Sequence, residues 1–203
     1  MKVALYFGSF NPVHIGHLII ANHVAQSAGV DEVWFVVSPQ NPFKKGQTLL
    51  HEQHRLNMVR DAVEGTRGLR ASNVEFSLPK PSYTINTLAY LKEKYPKNTF
   101  CILLGSDGYQ NIHQWKNGAS IAAGYPLYIY KRPGFDIPFN MPNNCTVVEA
   151  PLLDISSTHI RNLLRAGKSI RFLVPPSVEE AIEKNAYYLS ALENPTQQET
   201  QDH

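Results

Sequence analysis

The sequence predicts an α/β protein: a Rossmann-like doubly wound parallel sheet with a helical portion at its C-terminal end. Three observations carry this expectation. Short apolar runs closed by Gly or Pro alternate with segments of helical spacing up to about residue 130, which is the pattern of βαβ units joined by right-handed crossovers. The strand candidates are nearly continuous in apolar residues, as expected for strands buried on both faces. The last third of the chain loses the alternation and reads as helices with little between them.

The elements follow in order. Val3 to Phe7 is an apolar strand ended by Gly8, and helical spacing follows through Leu18, Ala21, Val24, Ala25 and Ala28, closed by Gly29. Glu32 to Val37 is a second strand, stopped by Ser38-Pro39. Residues 39–47 hold two prolines, a glycine and two lysines, an irregular loop. Glu52 to Val63 is helical through Leu56, Val59, Ala62 and Val63, Val74 to Leu78 is a short strand, and Ser82 to Tyr95 is a helix with Pro81 just ahead of its N-cap. Phe100 to Leu104, ended by Gly105, and Leu127 to Tyr130, closed by Lys131-Arg132-Pro133-Gly134, are further buried strands. Ser156 to Leu164 and Pro176 to Leu189 are helices. No repeat or linker divides the chain, so residues 1–190 are expected to form a single domain. Residues 191–203 form a polar tail expected to be disordered.

Composition narrows the function classes. At 203 residues with 43% hydrophobic content the chain can bury a sizeable core. A net charge of +2 supplies no basic field for nucleic acid or an anionic membrane. Cys101 and Cys145 are the two cysteines, which is neither a disulfide framework nor a CxxC metal pattern, and fits a reducing compartment. The start MKVALYF runs straight into turn residues, so no signal peptide and no membrane span are expected, and the cytoplasm is the expected location.

The chemistry concentrates in GSFNPVHIGHL, Gly8 to Leu18, directly after the first strand. In a parallel α/β sheet this is where ligands bind, at the carboxyl end of a strand and the start of a helix. His14 and His17 lie i, i+3 at or near the first helical turn, on one side, where imidazoles and free backbone N–H groups can face one anion. Read as two isolated histidines, they are equally well polar residues at a helix start. A zinc site would need further ligands; His51 and His54 offer a second i, i+3 pair, but no cysteine stands at ligand spacing beside either. In the second half, Asp154-Ile155-Ser156-Ser157-Thr158-His159-Ile160-Arg161 supplies hydroxyls that can cap a phosphate-binding helix. Arg161, one turn further in, can make a forked contact. A capped surface helix with a solvated arginine would read the same way.

The full string GSFNPVHIGHL resembles the G-x-F-D/N-P-x-H-x-G-H signature of the HxGH nucleotidyltransferase superfamily, and ISSTHIR resembles the ISSTxIR motif of its small adenylyltransferases. Lys80-Pro81-Ser82-Tyr83-Thr84, then Leu104-Gly105-Ser106-Asp107 with Trp115, then Lys131-Arg132-Pro133-Gly134 look like the ordered motifs of the nicotinate-mononucleotide adenylyltransferase family. The resemblance spans roughly residues 2–188. It implies an ATP site made by Gly8, Ser9, Phe10, Asn11, His14, Gly16, His17, Gly105, Asp107, Ile155, Ser157, Thr158 and Arg161. It implies an acceptor site made by Lys44, Ser82, Tyr83, Thr84, Trp115 and Arg132, in which amides at the start of the PSYT helix receive the pyridine carboxylate and the tryptophan stacks on the ring. His14, His17, Lys44 and Arg161 would carry the catalysis, with Mg²⁺ arriving on ATP and no protein metal site. ATP and nicotinate mononucleotide are the implied partners, with neither nucleic acid nor membrane and with homo-oligomerisation open. One position departs from the pattern: where the family has proline, histidine and a basic residue, this chain has Pro42-Phe43-Lys44. The alternatives are the same chemistry on nicotinamide mononucleotide or another phosphate acceptor, and a nucleotide-binding protein of the same fold without catalysis.

Overall fold

A computed structural model describes residues 1–40, 49–151 and 153–189. Most of the expected loop over 39–47, with Lys44, and the expected polar tail lie outside the described residues. The chain runs β1 (Lys2–Gly8), α1 (Ile15–Ser27), β2 (Glu32–Val37), α2 (Glu52–Val63), β3 (Leu69–Ser72), a 3₁₀ turn (Val74–Ser77) and α3 (Thr84–Lys94). It continues with β4 (Thr99–Gly105), α4 (Ser106–Gln110), α5 (Gly118–Gly124), β5 (Leu127–Tyr130), β6 (Cys145–Val148), α6 (Ser157–Arg165) and α7 (Pro176–Lys184). All strand pairs are parallel, in the order β3-β2-β1-β4-β5-β6.

The double winding follows from the two-residue period of each strand. Ala4, Tyr6, Phe35 and Leu103 point to one face, where Ala21 and Val24 of α1, Leu56 and Val59 of α2, Ile160 of α6 and Val178 and Ile182 of α7 cover them. Val3, Leu5, Val36, Ile102 and Ile129 point to the other, under Leu88 and Leu91 of α3 and Ile121 of α5. Burial on both faces requires every position of a central strand to be apolar, which is why these strands read as unbroken runs. No helix among the described residues is long and apolar enough to cross a membrane.

Three expectations are corrected. Val74 to Leu78 is not a strand: Val74–Ser77 forms a 3₁₀ turn, and the edge strand is Leu69–Ser72. The other edge, Cys145–Val148, carries an exposed Thr146 and Val147. Edge strands need no continuous apolar run, so both escaped a reading keyed to buried ones. Helix α3 starts at Thr84, because Tyr83, its N-cap, is extended at φ −115° and ψ 128°; ahead of it the Ser82 N–H donates to the Gln40 carbonyl at 3.1 Å. Finally, α7 ends at Lys184 rather than Leu189, and Ala186 and Tyr188 adopt φ of 53° and 67°, turning the chain back.

Candidate active site

The strand order reverses direction between β1 and β4, and a crevice opens at their carboxyl ends, the expected ligand position in an open α/β sheet. A cleft of about 430 Å³ there is lined by Gly8, Ser9, Phe10, His14 and His17 after β1, by Gly105, Asp107 and Trp115 after β4, by Arg132 after β5, and by Ser157, Thr158 and Arg161 at the start of α6. A smaller recess of about 60 Å³ shares Tyr6, His14, His17, Tyr130 and Arg132 with it and adds Gly16 and Ile155. Residues from the two halves of the chain, expected from separate motifs, thus meet in one place.

His14 is the N-cap of α1 in extended conformation, and His17 is its third helical residue. Their rings stack with centroids 3.6 Å apart and planes at 27°. The His14 backbone N–H donates to His17 Nδ1 at 3.3 Å, which puts the proton of a neutral His17 on Nε2. His14 is 5% exposed, and among the described residues its Nδ1 has no hydrogen-bond partner. Burial, and secondarily the positive charge of Arg132, push its pKa down to about 4, so the ring is neutral near pH 7. Gly16 makes room for it: a Cβ there would lie 3.2 Å from His14 Nδ1. A buried neutral imidazole with an unpartnered nitrogen beside a cleft is a hydrogen-bonding group awaiting a ligand.

The loop between β1 and α1 is held from outside. Phe10 adopts φ 45°, a left-handed conformation unfavourable for a bulky side chain. Arg161 Nη1 donates to the Asn11 carbonyl at 2.7 Å and its Nη2 to Thr158 Oγ1 at 3.2 Å. Ser157 Oγ donates to the Pro12 carbonyl at 2.9 Å, docking the N-terminus of α6 onto the loop, while Ser156 rather than Ser157 caps α6 by accepting from the His159 N–H. The Leu50 N–H donates to Asn11 Oδ1 at 3.2 Å. Arg55, fully buried, donates to the carbonyls of Ser9, Ser38, Pro39 and Leu50. Sequence reasoning passed over Arg55. The available signal was an arginine on the apolar face of a helix, beside Leu56 and one turn before Val59.

On the opposite wall, Asp107 Oδ2 pairs with Arg132 Nη1 at 3.1 Å, and the Arg132 N–H donates to Ser106 Oγ at 2.9 Å. A Cβ on Gly105 would run into the Asp107 carboxylate and lie 2.7 Å from Arg132 Cδ, so a side chain there would displace this ion pair. At the base, the hydroxyls of Tyr6 and Tyr130 are 3.1 Å apart. Trp115 lines the cleft and also packs on the core beneath it.

Ser82, Tyr83 and Thr84 do not line either recess. They sit at the start of α3, next to the Trp115 side of the cleft: Lys116 Nζ lies 4.6 Å from the centroid of the Tyr83 ring. The segment is tied to the start of α2 by Lys80 Nζ to Glu52 Oε1 at 2.7 Å. Lys44 lies outside the described residues. Among the described residues, no group of three or more His, Cys, Asp or Glu side chains is placed to hold a metal.

A doubly wound parallel sheet whose switch-point crevice presents two histidines at one helix N-terminus and a hydroxyl-rich second helix N-terminus has the architecture of a nucleotidyltransferase. The family model described as cytidylyltransferase-like matches residues 5–163, and the chain belongs to that family. Its relatives include a protein of Cytophaga hutchinsonii named probable nicotinate-nucleotide adenylyltransferase, 52% identical over 93% of this chain and 98% of that protein. A Bacteroides fragilis protein of the same name is 43% identical, over 89% of this chain and 90% of its own length. Among solved structures, the nicotinic acid mononucleotide adenylyltransferase of Plasmodium falciparum complexed with NaAD shares the fold with a TM-score of 0.79 at 23% identity, over 92% of this chain and 97% of that one.

Proposed function

We propose that the protein transfers the adenylyl group of ATP to nicotinate mononucleotide, giving nicotinate adenine dinucleotide and pyrophosphate, a step of NAD biosynthesis. The observation that carries this reading is the convergence, across one cleft, of the α1 N-terminus bearing stacked His14 and His17 with the α6 N-terminus bearing Ser157, Thr158 and Arg161. Both helix ends direct the positive end of a helix dipole at the same volume, which suits a polyphosphate. Full-length relatives named for this activity support the choice of acceptor.

In the reaction an oxygen of the acceptor phosphate attacks the α-phosphorus of ATP. The new O–P bond forms as the bond from the α-phosphorus to the bridging oxygen breaks, and pyrophosphate leaves with that electron pair. The attacking oxygen is already anionic, so no general base is required. The work of the protein is positioning and charge stabilisation. His14, neutral near pH 7, and His17 donate N–H bonds to phosphate oxygens, and Arg161 and Lys44 add charge. Gly8, Ser9, Phe10, Asn11, Gly16, Gly105, Asp107, Ile155, Ser157 and Thr158 shape the ATP side, with Ser82, Tyr83, Thr84, Trp115 and Arg132 on the acceptor side. ATP enters as its divalent-metal complex, as nucleotidyltransferases generally use it, and we take that ion to be Mg²⁺, carried by the phosphates. Residues 1–190 act as one domain, and the cytoplasm, where ATP and the mononucleotide are available, is the proposed location. Pyrophosphate release by the purified protein with ATP, Mg²⁺ and each of a panel of mononucleotides tests the reading. Release that requires nicotinate mononucleotide supports it, and no release with any acceptor refutes it.

A further inference from the structure

Arg55 is the largest fully buried side chain, and nothing in the reaction above uses it. Among the described residues it has no carboxylate within ion-pair distance. Among the described residues its guanidinium is satisfied by backbone carbonyls: Nε to Leu50 at 2.7 Å, Nη1 to Ser9 and to Ser38 (2.9 Å), and Nη2 to Pro39 at 3.3 Å. One planar fork thus ties the loop after β1 to the turn after β2 and to the chain entering α2. Burying a cation without a paired carboxylate is unfavourable, and here the aligned carbonyl dipoles, with the more distant Glu52 carboxylate, offset it.

The second buried arginine completes the arrangement. Arg161 holds the Asn11 carbonyl as Arg55 holds the Ser9 carbonyl, so the residues on either side of left-handed Phe10 are gripped from α6 and α2. Such a backbone conformation persists where its surroundings over-determine it. The returning C-terminal segment passes near both cations: the Tyr188 hydroxyl is buried, has no hydrogen-bond partner among the described residues, and lies within electrostatic reach of Arg55 and Arg161. Tyr187 Oη meets His54 Nδ1 at 2.8 Å, one residue before Arg55.

We propose that Arg55 is a positioning residue for adenylyl transfer: with Arg161 it clamps the carbonyls of Ser9 and Asn11 on either side of Phe10, and so holds the loop that presents His14 and His17 to the triphosphate. The inference rests on the adenylyltransferase reading. It requires the fork and not merely the charge, because an ammonium offers its donors from one point and cannot span four separate carbonyls.

Arg55→Lys and Arg55→Met are compared with wild type for kcat, KM of each substrate, thermal midpoint and amide exchange at residues 9–17. The clamp predicts that both variants lose about tenfold to a hundredfold in kcat, as small misplacements of reacting groups do. KM for the mononucleotide stays close to wild type, and exchange quickens at Phe10 and Asn11 while β1 and β4 stay protected. Arg55→Lys at wild-type kcat overturns the clamp, even if Arg55→Met is impaired, because charge alone would then suffice. If neither variant folds, amide exchange in the wild-type protein decides: protection at Phe10 and Asn11 comparable to that of β1 supports the clamp, and exchange there as fast as in an unrestrained loop refutes it. An inactive wild-type protein would refute the adenylyltransferase reading instead. The exchange pattern then decides the clamp, unchanged rates at Phe10 and Asn11 in Arg55→Lys overturning it.

Discussion

His14 and His17 stack ring on ring, 3.6 Å between centroids, with His14 the buried member and its Nδ1 unpartnered among the described residues. Two imidazolium rings at that separation would repel strongly, so the pair carries at most one positive charge near neutral pH. In the proposed reaction the pair donates N–H bonds to phosphate oxygens as charge builds on them, rather than acting as a doubly charged site.

Removing those donors affects the transition state. Replacing His17 by Ala is expected to lower kcat by about 10²- to 10³-fold, the usual loss for one donor to a developing oxyanion. The thermal midpoint should stay near wild type, because His17 is only half-buried. Near-normal turnover with both histidines replaced would assign them to structure.

The depressed pKa of His14 gives a pH dependence with a definite sign. In the unfolded chain the ring titrates near 6.5; in the folded protein it resists protonation down to about 4. Between these values the unfolded state binds more protons. The stability linked to His14 is therefore present above about pH 6.5 and is lost as pH falls toward 4. The loss is on the order of 2–3 kcal/mol. Urea unfolding at pH 7 and pH 4.5 checks it, with His14→Gln expected to flatten the slope. Phosphate placed beside the ring raises the pKa, so ATP binding near pH 5.5 should take up protons, measurable by calorimetry in buffers of different ionisation enthalpy.

The fold was legible in the sequence where burial is complete. β1, β2, β4 and β5 are the central strands and read as apolar runs, whereas β3 and β6 are edges whose side chains are partly solvated and left no such signal. The site was legible because GSFNPVHIGHL and ISSTHIR each supply chemistry near a helix start. Their meeting through Ser157 and Pro12, 145 residues apart, is a property of topology and not of either motif. Arg55 stayed hidden because its partners are carbonyls, which carry no sequence identity.

Arg161 has two roles to separate. Its bond to the Asn11 carbonyl is buried, so Arg161→Ala leaves that oxygen unpaired at a cost of about 1–3 kcal/mol. A chain of this size should then melt several degrees lower. Because Arg161 also lines the cleft, KM for ATP is expected to rise as well. A lowered melt with unchanged kinetics would confine Arg161 to the loop.

The proposed acceptor site predicts a preference for charge. If the N-terminus of α3, beginning at Thr84, receives the ring substituent of the mononucleotide, its positive dipole end favours a carboxylate over a carboxamide. Nicotinate mononucleotide should exceed nicotinamide mononucleotide in kcat/KM by about tenfold to a hundredfold, the cost of a mispaired buried polar group. Equal values would remove the carboxylate site while leaving adenylyl transfer intact.

The most direct test follows the α-phosphorus. With ATP labelled there, Mg²⁺ and nicotinate mononucleotide, the account predicts that the label appears in a dinucleotide, with one unlabelled pyrophosphate released for each dinucleotide formed. Label recovered only in ATP, or in AMP without dinucleotide, would contradict it.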